Sequence, residues 1–176
     1  MYGEDSEEYK KSKSLNVLFR KGFIVNALIA ILWTVLIILP FEPFSLLLRI
    51  IVGGGPGIWF LVAYILYIII GPLLFIGFSY LYYLAEEVWR TETSNMFSVA
   101  GFYLLFIGAN ITLIVLAVAG AVGGYYLNII HAPIESVRGI LEPFVNPLRV
   151  LTLVTIIGAL LCLAPILRRV ARSRLL

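Results

Sequence analysis

Polar and apolar positions fall along this chain in long blocks. Four apolar blocks, residues 23–39, 58–84, 97–126 and 150–167, contain no Asp, Glu, Lys, Arg or His. They are 17, 27, 30 and 18 residues long. An uncharged apolar stretch of about 18 residues or more reads as a membrane-spanning helix, because a ~30 Å hydrocarbon core needs about 20 residues of helix. The first block falls just short, and residues 15–22 are expected to lengthen it by a turn or two. The pattern predicts an all-α, polytopic membrane protein with four transmembrane helices in a single domain, residues 1–176. Residues 1–22 form a polar tail and lead-in, and residues 168–176 a basic tail. The first block is expected to be retained, since Pro40 bounds it and no small-residue cleavage pattern follows.

Breaker residues divide the rest. Pro40 ends the first block, and residues 45–52 set apolar side chains around one charge, Arg49. This predicts a short helix lying in the interface. Gly53, Gly54, Gly55, Pro56 and Gly57 then break the chain. Gly71-Pro72, inside the second block, removes a helical hydrogen bond and predicts a kink. Residues 127–149 are expected to form the longest outer loop. Within it, Pro133 and Pro143 bracket residues 134–142. Ile134, Val137, Ile140 and Leu141 share one face there, which predicts a second interfacial helix on the outer side. Tyr80, Tyr82, Tyr83 and Trp89 read as an inner aromatic belt, with Trp59 at the outer side. In the inner loop, Glu86 and Arg90 have i,i+4 spacing, and Ser94 and Asn95 stand where a cap before Phe97 belongs.

Charge sets the expected orientation. One side of a four-span arrangement holds Lys10, Lys11, Lys13, Arg20, Lys21, Arg90, Arg168, Arg169, Arg172 and Arg174; the other holds Arg49, Arg138 and Arg149. Ten basic residues against three place both termini in the cytoplasm, by the excess of Lys and Arg on cytoplasmic loops, and the protein in the cell membrane.

The third block differs from a plain lipid-facing rod. Gly108, Ala117, Gly120, Ala121 and Gly124 put small residues at close spacing, and Gly120/Gly124 and Ala117/Ala121 are each four apart. Such steps let another helix backbone approach. Asn110 and Thr112 add polar groups near the middle, and an amide in hydrocarbon needs a partner. These residues are the expected helix-packing interface. The sequence does not say whether the partner belongs to the same chain.

Composition fits a membrane protein: 61% hydrophobic, 13% charged, mean hydropathy +1.02. Gln is absent, and there are one Cys and two Met. Scarcity of thermolabile residues suggests a thermophilic source, archaeal or bacterial. The lone Cys162 excludes an intramolecular disulfide.

Reactive groups are scarce. His131 is the one histidine, and Glu135 stands four residues on. That spacing can supply two metal ligands, but a site needs three or four, and Pro133 intervenes. A structural histidine is the favoured reading over a ligand contact. Ser136 lies nearby without a nucleophile-elbow pattern. The uncharged spans exclude a proton relay of the usual acidic or histidine type within the chain. Gly53–Gly57 lacks the Lys and Ser/Thr of a phosphate-binding loop. No catalytic residue, cofactor or metal is expected, and the tails are too short to argue for nucleic acid. The leading expectation is a non-catalytic accessory or scaffold subunit of a larger membrane complex, of an electron-transfer, respiratory kind. It would contact lipid and other transmembrane subunits. The alternative is a small homo-oligomeric transporter or channel whose third helix lines the pore.

Overall fold

A computed structural model describes residues 15–88 and 96–173, with side chains for 15–86 and 96–168. The expected aromatic Trp89, the Glu86–Arg90 pair, the caps Ser94 and Asn95, and most of both tails lie outside the described side chains. The described residues are helical and contain no strand. Helix α1 is Leu15–Ile38, α2 Phe44–Val52 and α3 Gly57–Ile68. A π-helical turn, Ile69–Leu73, joins α3 to α4, Leu74–Tyr83, and a second π turn covers Leu84–Val88. Helix α5 is Met96–Asn128 and α6 is Ile134–Ser173. Four helices are long and apolar enough to cross a membrane: α1, the continuous stretch Gly57–Glu86, α5, and α6 through Arg168. In chain order these are the first to fourth spans.

The first span is helical from Leu15, the first described residue, so residues 15–22 lengthen it as expected. Its outward positions, Ile24, Leu28, Ile31, Leu32 and Val35, are exposed and apolar, as a lipid-facing surface must be. The turn between α2 and α3 puts Gly54 and Gly55 in the left-handed region, at φ 75° and 58°. Such a turn favours residues without a Cβ. Pro56 then opens α3, where a missing N–H costs nothing. Around Pro72 the Leu74 amide reaches back five residues to the Ile69 carbonyl. The predicted disruption at Gly71-Pro72 is thus a π turn, a common way to absorb a proline inside a helix.

The fourth helix corrects the expected loop. Residues 134–142 do not form a separate surface helix ended by Pro143. They continue without interruption through Pro143 and Pro147 into the span, giving one helix of 40 residues. Its length, about 60 Å, is roughly twice the hydrocarbon thickness. The prolines are tolerated because both are exposed, and Gly139, four residues before Pro143, has open space around it. The carbonyl crowded by the Pro143 ring can therefore tilt outward. The apolar face, with Val137 and Leu141 buried, packs against Ala119 of α5 rather than lying flat on a surface. The connection from α5 to α6 shortens to residues 129–133.

Each span packs chiefly on its neighbours in sequence: first on second, second on third, third on fourth. At the face carrying the chain ends, all four meet in one core. Phe19 is its hub, with ring centroids 4.9 Å from Phe78, 5.4 Å from Tyr82, 5.6 Å from Phe75 and 5.0 Å from Phe102. Leu105, Cys162 and Ile166 complete it. Over its whole length the first span makes few contacts with the third.

Candidate functional site

Three hydrogen-bonded steps join the first two spans. Ser79 donates to the Asn16 side-chain carbonyl at 2.8 Å. Near mid-span, the Tyr67 hydroxyl stands 2.9 Å from Asn26 Oδ1. Further toward the loop face, Thr34 donates to its own helix at the Ala30 carbonyl, 2.8 Å away. The Tyr64 hydroxyl, also 2.8 Å from Thr34 Oγ1, is then the donor of that pair. Burying these groups in hydrocarbon would be costly without partners, so the steps also fix the register of the two helices.

The middle step reaches a third helix. Tyr67 Oη is 2.8 Å from Asn110 Oδ1, and Asn110 Nδ2 donates to Asn26 Oδ1 at 3.1 Å and to the Phe106 carbonyl at 2.8 Å. Asn110 therefore has its partners within its own chain. Asn26 and Tyr67 do not stand out in the sequence. Asn26 is the fourth residue of its apolar block. It is the twelfth of the 24 described residues of its helix and fully buried. Tyr67 is hidden in an aromatic-rich run. The signal that could have found both is one polar side chain near the middle of each of three consecutive spans.

The small residues of the third span separate into seams. A Cβ on Gly120 would overlap the Phe60 backbone nitrogen, and one on Gly124 would lie 2.7 Å from the Gly57 Cα. These two residues face the second span. Gly108 faces the fourth, where a Cβ would lie 2.7 Å from Thr155 Oγ1. Thr112 also faces it, 3.5 Å from Thr155 Oγ1, while donating to the Gly108 carbonyl at 2.6 Å. Gly158 returns the seam from the fourth span, pressed on the Leu105 backbone.

Ala117 and Ala121 stand apart from these seams. With Trp33, Leu47 and Phe60 they line an apolar groove of about 390 Å³ between the first and third spans. Half-exposed Ile114 and Val118 also line it, so it opens at bilayer depth. Trp33 forms one wall, stacked 5.1 Å from the Tyr67 ring and 6.0 Å from Phe60. Leu47 brings the short helix α2 to its loop-face end.

Gly71 and Pro72, the expected kink, are buried against the polar step. A Cβ on Gly71 would lie 3.4 Å from the Asn26 Cβ and 3.3 Å from the Tyr67 ring. His131 and Glu135 are both exposed. Among the described residues no group of three His, Cys, Asp or Glu side chains could hold a metal ion. His131 instead serves the backbone. It adopts φ 59°, and the next amide, Ala132, turns back to the Tyr126 carbonyl at 2.9 Å. Histidine is one of the few residue types enriched in that region.

Asn128, which nothing in the sequence singles out, links two elements. Its Nδ2 donates to the Ile50 carbonyl at 3.0 Å and the Gly54 carbonyl at 3.2 Å, capping the end of α2 from the end of α5. Gly53 leaves room for it, since a Cβ there would lie 2.5 Å from the Asn128 amide.

No protein-family model, curated protein or solved structure matches the chain.

Proposed function

We propose that the chain is a non-catalytic accessory subunit of a larger membrane complex, one that receives a transmembrane helix of a partner subunit. The observation that carries this reading is the groove. The Ala117-to-Ala121 step is the one small-residue step of the third span that borders open apolar space rather than a neighbouring span of this chain. Small residues four apart favour close approach of another helix. Trp33 and Phe60 give the groove flat walls, and its volume suits side chains inserted from outside. The four apolar blocks carry no charged side chain, which supports a packing role over a transporting one. An electron-transfer complex of respiratory kind, with both termini cytoplasmic, is the setting that the basic-residue asymmetry and the lack of reactive groups favour. The homo-oligomeric pore needs Gly108, Asn110, Thr112 and Gly120 to face a lumen. Their contacts with the second and fourth spans weigh against it.

The test is extraction of native membranes in mild detergent, followed by identification of the chain's companions. Stoichiometric co-migration with larger membrane subunits is expected. A homogeneous homo-oligomer would overturn the reading. Ala121→Trp should fill the groove and release the partner while the isolated chain keeps its melting temperature. A complex that survives Ala121→Trp would exclude the groove as the docking surface.

A further inference from the structure

The Asn26–Tyr67–Asn110 cluster cannot satisfy itself. Tyr67 Oη lies within hydrogen-bonding distance of two carbonyl oxygens, Asn26 Oδ1 at 2.9 Å and Asn110 Oδ1 at 2.8 Å. A hydroxyl has one proton, so it can serve only one of them. Asn26 Nδ2, on a side chain with no exposure, has no hydrogen-bond partner at all. Exchanging the nitrogen and oxygen of either amide does not help. Turning Asn26 lets its nitrogen donate to Tyr67 but sets it against Asn110 Nδ2, 3.1 Å away in the present arrangement, and leaves the oxygen unpartnered in its place. Turning Asn110 puts its oxygen against the Phe106 carbonyl and Asn26 Oδ1. Every orientation leaves a polar atom orphaned at the centre of the spans, where an unpaired group is most costly.

The backbone beside Asn26 carries a complementary deficit. Pro72 supplies no N–H, and the π turn around it shifts the Leu74 amide to the Ile69 carbonyl. Within that turn one carbonyl loses its usual donor. Gly71, buried and without a side chain, leaves the turn uncovered where it faces Asn26. An orphan donor on the first span thus stands next to a proline-deprived stretch of acceptors on the second.

We infer that this cluster is a binding site for a single water molecule. The water accepts from Asn26 Nδ2 and donates to the backbone of the Ile69–Leu73 turn, completing a polar network across three spans. Water is the ligand because the site needs an acceptor and a donor in one small molecule, and the apolar blocks that hold the cluster, residues 23–39, 58–84 and 97–126, contain no charge to hold an ion. Buried waters of this kind typically bridge otherwise unsatisfied groups. The site is the same whether or not a partner helix occupies the groove.

The test is hydroxyl-radical footprinting by X-ray pulses on the full chain in lipid nanodiscs, with ¹⁸O-labelled water. A bound water activated in place oxidises the side chain beside it even when bulk solvent cannot reach. Tyr82 is the internal control. It is as buried as Tyr67, but its hydroxyl is paired with the Cys162 carbonyl and no orphan lies beside it. Tyr67 is expected to be modified several-fold faster than Tyr82 in the native chain. Asn26→Leu should bring Tyr67 down to the Tyr82 rate. Equal rates in the native chain would overturn the inference without any variant, whether or not Asn26→Leu folds. A fast Tyr67 unchanged by Asn26→Leu would overturn it as well. A high-resolution structure should show density at roughly 2.7–3.2 Å from Asn26 Nδ2.

Discussion

The Tyr82 hydroxyl donates to the main-chain carbonyl of Cys162 at 2.6 Å, tying the second span to the fourth. These spans are not otherwise principal neighbours. The bond closes the bundle at the face carrying the chain ends, while the groove leaves it open toward the loops. Tyr82→Phe keeps the ring in the aromatic core and removes only this tie. It should destabilise the chain by about 0.5–1.5 kcal/mol, the range for interhelical hydrogen bonds in membranes. Unfolding titrations in mixed micelles would read the change, and an unchanged midpoint would show that the tie contributes nothing.

Gly120 and Gly77 make a matched pair. A methyl on Gly120 meets the Phe60 backbone, which cannot step aside, whereas a methyl on Gly77 meets nothing within 4 Å. Gly120→Ala should cost about 1–3 kcal/mol by forcing the second and third spans apart. Gly77→Ala should be neutral or stabilising by up to about 1 kcal/mol, from helix propensity alone. Equal effects in thermal melts would refute the seam.

Asn128→Ala removes the side chain that holds the end of α2. A loss of about 1 kcal/mol is expected, typical of a lost helix cap. The effect should be local. Hydrogen exchange at residues 50–57 should quicken while the core around Phe19 keeps its protection. Uniform quickening would mean that α2 is not an independently held element.

For His131 the backbone decides. His131→Gly and His131→Ala should change stability by less than about 1 kcal/mol, while β-branched His131→Val should cost about 1–2 kcal/mol in the left-handed conformation. Loss of a bound cofactor or metal in His131→Ala would instead restore the ligand reading.

The spans were legible because a chain folded in water almost never carries several charge-free apolar runs of membrane length. Their polar contacts were less so. Asn16, Arg20 and Lys21 lie in the expected lengthening of the first helix, where polar side chains can reach the headgroup layer. Asn26 falls in the middle of that helix, but only the packing of the spans shows that Tyr67 and Asn110 meet it there. The continuous fourth helix was hidden for a different reason. A proline breaks a helix only where its missing hydrogen bond cannot be made good, and sequence does not reveal that Pro143 and Pro147 face outward. In the third span, the small residues were recognisable but not their partners. Gly120 and Ala121 are adjacent in sequence, yet one is closed by Phe60 and the other borders the groove.

The neighbour-to-neighbour packing of the spans bears on how the protein is made. Because each span's main partner precedes or follows it in the chain, an emerging helix finds its docking surface already waiting in the bilayer. Biogenesis can proceed hairpin by hairpin, with short loops to close and no long search. The Tyr82–Cys162 bond joins residues 80 positions apart and can form only after the last helix has arrived. It is a latch set at the end of synthesis, and a chain stalled before residue 162 would remain unlatched.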